Sequence, residues 1–171
     1  MNRRNIVSLS ALAVLGLALL PGSAVSQQKS LKDQLVGTWT LASWERVNPD
    51  GSKTHSFGTN PKGINMFSPD GRFALIYTRA DLPKLASNDR MKSTQQEAKT
   101  IVDGSIAYYG TYSVDDGSKT ITLNIESTTF PNQIGRPQKR VINSLTADEL
   151  KYSNPTATAG GQIHITMKRA K

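Results

Sequence analysis

The side chains capable of chemistry are few, and their types limit what the protein can do. The chain carries two histidines, His55 and His164, and no cysteine. A zinc centre needs several nitrogen, thiolate or carboxylate ligands at short spacing. Neither histidine has such companions, so no metal site is expected. A haem needs only one proximal histidine, which His55 or His164 could supply, but an exposed or hydrogen-bonded imidazole is the plainer expectation and no cofactor is called for. There is no Gly-rich phosphate loop, no Gly-x-Ser-x-Gly elbow and no His-Glu-x-x-His. Nucleotide hydrolysis, esterase chemistry of that type and zinc proteolysis therefore lack their machinery.

What remains is aromatic, cationic and acidic. Aromatic residues concentrate as Trp39 with Trp44, as Phe73 with Tyr77, and as Tyr108, Tyr109 and Tyr112. Side chains on a strand alternate between its faces, so if Ile106, Tyr108, Tyr112 and Val114 face a core, two phenols enter it and each needs a hydrogen-bond partner. Arg79 is in phase with Phe73, Leu75 and Tyr77. Its forked donors either receive a ligand carboxylate at the edge of a cavity or simply reach water. Trp44, Phe73, Tyr77, Arg79, Tyr108 and Tyr112 form the candidate ligand-binding set. For acid–base work the candidates are Glu45, in phase with Trp39, Leu41 and Ser43, and Glu126, since a carboxylate held inside acquires a raised pKa. Thr122 and Asn124 favour the solvated face for Glu126, which leaves Glu45 as the interior candidate.

The elements that must position these groups are short and regularly punctuated. Turn chemistry recurs at Asn48-Pro49-Asp50-Gly51, Pro69-Asp70-Gly71, Asp115-Asp116-Gly117-Ser118, Thr146-Ala147-Asp148-Glu149 and Ala159-Gly160-Gly161. Glycine accepts positive φ, proline presets the turn, and Asp or Asn bonds its own backbone. Between the turns lie runs rich in Thr, Val, Ile and Tyr at 36–47, 62–68, 72–79, 105–114, 119–129, 138–145, 149–154 and 162–169, about eight strands joined as an antiparallel meander. Ile121, Leu123 and Ile125 alternate with Thr122, Asn124 and Glu126, and Ile163, Ile165 and Met167 alternate with His164, Thr166 and Lys168. One face of the sheet is therefore buried and the other wet.

One helix interrupts the meander. Thr94, Ala98 and Ile101 recur at helical spacing within 93–102, Ser93-x-x-Gln96 and Thr94-x-x-Glu97 both resemble capping boxes, and Gly104 can end the helix. Arg79 to Lys92 reads as a long surface connection, a length often reserved for lids or binding loops. Eight antiparallel strands can close into a barrel or stack as a sandwich. Closure removes both sheet edges, a benefit for a chain without disulfides.

Residues 1–26 have the layout of an export leader: Arg3 and Arg4, an apolar run from Ile6 to Leu20, and small residues ending at Ser26. The run is shorter than the roughly 20 residues of a spanning helix, so a cleavable signal peptide cut after Ser26 is expected, by the ordinary secretory route or, given the paired arginines, a twin-arginine one. That leaves 27–171 as a single domain in the periplasm or outside the cell. The chain's formal charge of +8 would raise the question of nucleic acid in the cytoplasm. Behind a leader, the clusters Arg136, Lys139, Arg140 and Lys168, Arg169, Lys171 instead form solvated faces or meet anionic lipid or envelope polymers, and no nucleic-acid partner is expected.

Leu35-Val36-Gly37-Thr38-Trp39 resembles the Gly-x-Trp signature of the first lipocalin strand. In that family the tryptophan closes the barrel floor beneath an arginine from the last strand. Arg169 matches that arginine, with Lys168 its competitor. Gly63-Ile64-Asn65-Met66-Phe67-Ser68-Pro69-Asp70-Gly71-Arg72-Phe73, then Tyr77-Thr78-Arg79, then Gly110-Thr111-Tyr112 is similar to the small bacterial lipocalin-like domains, across nearly all of 31–171. The resemblance implies an all-β, single up-and-down barrel of about eight strands with one short mid-chain helix, and a hydrophobic-ligand pocket without established catalytic residues. Two features depart from typical lipocalins: the helix lies in mid-chain instead of after the eighth strand, and the usual disulfide cannot form.

The leading expectation is an exported barrel that binds a small hydrophobic or amphipathic molecule between aromatic walls, with Arg79 or a tyrosine orienting it. A second is a cofactor-independent isomerase, cyclase or hydratase working on a hydrophobic substrate through Glu45 and the tyrosines. A third is a structural or interaction module whose barrel is filled by its own side chains. The oligomeric state is left open.

Overall fold

A computed structural model describes residues 29–157 and 160–171; the expected leader, 1–26, lies outside the described residues. A short helix, α1 (Leu31–Leu35), leads into β1 (Gly37–Val47), the two-residue β2 (Lys53–Thr54), β3 (Lys62–Phe67), β4 (Arg72–Thr78), α2 (Gln95–Asp103), β5 (Ser105–Asp115), β6 (Thr120–Thr128), β7 (Gln138–Leu145), β8 (Glu149–Asn154) and β9 (Gln162–Arg169). Neighbouring strands pair antiparallel in the order β1, β3 to β9, and β9 returns to pair with β1. This closes an eight-stranded barrel, and β2 adds a short ninth strand on β1. All eight strands expected from turn spacing and alternation are present. β2, α1 and two 3-10 turns, Arg90–Lys92 and Pro131–Gln133, are too short to carry a periodic signal.

An up-and-down meander sends alternate connections to opposite ends, and the two ends differ. At one end lie the tight turns 68–71, 116–119 and 146–148; at the other lie the long connections 48–61, 79–104, 129–137 and 155–161. The tight-turn end is the floor. α1 plugs it: Leu35 is fully buried, and the backbone amide of Leu31 donates to Asp116 in the β5–β6 turn at 2.9 Å. Above α1 pack Trp39, Phe67, Phe73, Tyr112, Leu123 and Leu150, all buried. The long-connection end is the mouth, and α2 belongs to its principal connection.

The floor explains the Gly-x-Trp segment. The Arg169 guanidinium lies 4.1 Å above the Trp39 ring, a cation–π contact of about 0.5–2 kcal/mol. It also donates to the carbonyls of Gln34 and Val36 at the C-terminal end of α1, at 2.7 and 3.0 Å, where cations complement the helix dipole. Trp39 Nε1 donates to the Leu35 carbonyl at 2.8 Å. Gly37 has φ +131°, and a Cβ there would lie 2.7 Å from Arg169 Nη1. Glycine is thus required both by its backbone angle and by the arginine seated against it.

Candidate functional site

The mouth half of the barrel encloses a cavity of about 510 Å³, within the range of small-molecule sites. Its apolar walls are Trp44, Phe57, Tyr77, Ile106, Tyr108, Ile163 and Ile165; α2 contributes Ile101, Val102 and Asp103, and the 129–133 segment contributes Thr129, Phe130 and Gln133. Arg46, Arg140 and Asn154 add polar groups to the same wall.

A bulge in β1 decides which of its residues reach this space. Leu41 pairs with Met167 but Ser43 with Thr166, so Ala42 is skipped and the alternation shifts by one residue. Below the bulge Trp39 and Leu41 point inward; above it Trp44 and Arg46 do. The expectation that Glu45 lies inside is therefore corrected. Glu45 is on the outer face, where it meets Lys53 of β2 at 3.1 Å. Uninterrupted alternation from Trp39 led to the wrong face.

The other candidates separate by end. Trp44, Tyr77 and Tyr108 line the cavity. Phe73 and Tyr112 belong to the filled floor: Phe73 stacks on Phe67, and Tyr112 meets Phe67 edge-on and donates its hydroxyl to the Ser68 carbonyl at 2.9 Å. Both phenols expected inside, Tyr108 and Tyr112, are buried and partnered. Arg79 does not line the cavity. It follows β4, and Asp81 takes up its guanidinium through two hydrogen bonds of 2.9 and 2.8 Å. A carboxylate two residues away satisfies the fork that was expected to meet a ligand. Glu126 is exposed and paired with Arg72 at 2.8 Å.

Arg140 is the larger correction. Read with Arg136 and Lys139 as part of a solvated basic cluster, it is 5% exposed and points into the barrel in phase with Ile142. Its Nη2 donates to the Tyr108 hydroxyl at 3.2 Å and its Nη1 to the Lys139 carbonyl at 2.8 Å. Nearby, the Tyr77 and Tyr152 hydroxyls share a hydrogen bond of 2.8 Å, and Tyr77 also contacts Met167 Sδ at 3.7 Å. Burial pushes both phenols well above the usual tyrosine value, so they are neutral hydrogen-bonding groups. Tyr152 and Phe57 were not singled out from sequence, the first because it stands alone in its strand and the second because it lies in a connection. The phase of Tyr152 with Leu150 was the available signal.

His55 is exposed in the connection after β2. His164 alternates outward between Ile163 and Ile165. Neither lines the cavity, so neither is placed as an axial haem ligand there. Among the described residues no three His, Asp or Glu side chains converge.

A family profile described as the lipocalin-like domain matches residues 36–169, from the start of β1 to the end of β9. The chain belongs to the lipocalin-like domain family. Solved structures similar to this lipocalin-like chain include a lipocalin-like protein from Bacteroides uniformis, at 13% identity and a TM-score of 0.42 over 80% of this chain and 99% of that one. A second protein from Bacteroides uniformis matches at 18% identity and 0.44 over 84% and 94%. A redesigned β-barrel matches at 16% and 0.41 over 84% and 100%. No curated protein matches this lipocalin-like chain.

Proposed function

We propose that this lipocalin-like barrel binds a small hydrophobic or amphipathic molecule in the mouth cavity, and that it does so after export from the cytoplasm. The observation that carries the reading is the contrast between the two halves. Side chains and α1 fill the floor, whereas the mouth half retains about 510 Å³ walled by Trp44, Phe57, Tyr77 and Tyr108. A barrel serving only as a structural module has no need of such a space. The enzyme reading loses its acid–base residue with Glu45 outside, and the one carboxylate on the cavity wall among the described residues, Asp103, is held by Lys99 at 2.7 Å. Export is supported by the arrangement of residues 1–26: paired arginines, an apolar run and small residues up to Ser26.

Native mass spectrometry of the protein purified from its own envelope extract, with the denatured mass alongside, tests both parts. The expected result is a chain beginning at Gln27 that carries a lipid-sized or smaller adduct, together with saturable binding of the neutral apolar probe N-phenyl-1-naphthylamine. A clean apo mass combined with no probe binding would sink the binding reading, and an uncut N-terminus would sink export.

A further inference from the structure

Two guanidiniums occupy the cavity wall, and the carboxylate that shares the wall, Asp103, is paired with Lys99 and with neither of them. Arg46 lies against Trp44, its guanidinium 5.7 Å from the ring centre, and its Nε is buried with no hydrogen-bond partner among the described residues. Arg140 is almost wholly buried, and among the described residues its hydrogen bonds go to a phenol and a carbonyl. No carboxylate comes within 4 Å of either among the described residues, whereas seven ion pairs form elsewhere. Arginine remains charged at any physiological pH, so burial cannot be relieved by losing a proton.

Placement makes this a single site. Arg46 pairs with Ile163, Ile163 pairs with Asn154, and Asn154 and Arg140 are the residues next beyond the Val141–Ser153 pair. The two arginines therefore stand on β1 and β7 with two strands between them, both turned into the same lumen. Arg140 is buried and Arg46 partly so, and each retains N–H donors that no carboxylate accepts among the described residues. One kind of occupant would use those donors, an oxyanion that accepts from the guanidiniums while its apolar part lies against Trp44, Phe57 and Ile165.

We infer that the cavity selects an amphipathic anion, a monocarboxylate with an apolar body, and that Arg46 and Arg140 are its head-group residues. The inference rests on the proposed ligand-binding role and names its ligand class. It also moves the anion-receiving function from Arg79, which Asp81 occupies, to two arginines that no side-chain carboxylate occupies.

The test is displacement of N-phenyl-1-naphthylamine by decanoate and by 1-decanol, which share a chain and differ in head group. Decanoate is expected to bind at least about tenfold tighter than decanol, the scale of hydrogen bonds to a charged group. In Arg46→Met that preference, taken as the ratio of the two affinities within the same variant, falls to less than about threefold. Arg140→Lys, which retains the charge, preserves part of the preference, and Arg140→Met removes it. Should Arg140→Met fail to fold, Arg46→Met and Arg140→Lys still decide. Equal binding of decanoate and decanol by the wild type would overturn the anion inference and leave the binding role standing. A preference untouched in Arg46→Met and in whichever Arg140 variants fold would overturn the assignment of these residues. Failure of the probe, decanoate and decanol all to bind, with a clean apo mass beside it, would remove the binding role, and the inference with it.

Discussion

Single residues at the floor act through backbone geometry as much as through contact. Arg169 ties three segments together, covering Trp39, capping the carbonyls of α1 and donating to the Ala147 carbonyl in the β7–β8 turn. Arg169→Met keeps the bulk and loses the donors, so it is expected to lower stability by about 1–3 kcal/mol in denaturant unfolding. Gly37→Ala should cost a similar amount, about 1–3 kcal/mol, because it forces a side chain onto φ +131° and against Arg169. If either variant unfolded at the wild-type midpoint, the floor would not be the structural clamp described. Trp39, Arg169 and Gly37 were legible in sequence because they form a spaced signature. Arg140 was not, since Val141 and Ile142 are both apolar and leave the phase of β7 ambiguous; its register against β6, where it pairs with buried Ile121, assigns it to the interior.

At the scale of elements, bulges and caps decide what reaches the site. Besides the bulge that puts Arg46 inside and Glu45 outside, a second at Tyr109/Gly110 brings β5 so close to β6 that a Cβ on Gly110 would fall 1.9 Å from the Asn124 carbonyl oxygen. Neither irregularity can be read from a period-two pattern, because one skipped residue reverses every face beyond it. The helix was more legible. Thr94 accepts from the Glu97 amide at 3.2 Å, Glu97 accepts from the Thr94 amide at 2.8 Å, and Gly104 closes the other end. Of the two capping boxes that the sequence offered, this is the one formed. Glu97 also accepts from the Ala86 amide at 2.8 Å, fastening the long connection to the helix. α2 buries none of its residues fully, so its order depends on these caps. Thr94→Ala is expected to weaken the helix by about 0.5–2 kcal/mol. Amide exchange over 95–103 should then quicken while the barrel strands keep wild-type protection. Unchanged exchange there would mean that packing, and not the cap, holds the helix over the mouth.

The whole molecule should lose stability at both ends of the pH scale, for separate reasons. Asp70 and Asp115 accept backbone and side-chain hydrogen bonds in their turns, and Glu149 accepts from Lys151 and Lys168; all three are held below their ordinary values of 3.8, 3.8 and 4.5. A lowered folded pKa gives stability that is present above the ordinary value and is lost as pH falls through the folded one, so Tm should drop below about pH 4. Tyr77 and Tyr152 are shifted upward from 10 by burial, which gives stability present below pH 10 and lost as pH rises beyond it. Thermal melts across pH 2–11.5 check both arms, and Tyr152→Phe should flatten the alkaline one; an unchanged alkaline slope would mean that other groups set it. The sequence by itself determined the meander, its turns, its helix and the floor signature, because these depend on local periodicity, turn chemistry and a spaced motif. Only the tertiary structure decided which residues face the cavity. Barrel closure and the β1 bulge set the inward faces, and those faces carry Arg46 and Arg140 where alternation alone had placed Glu45 and Arg79.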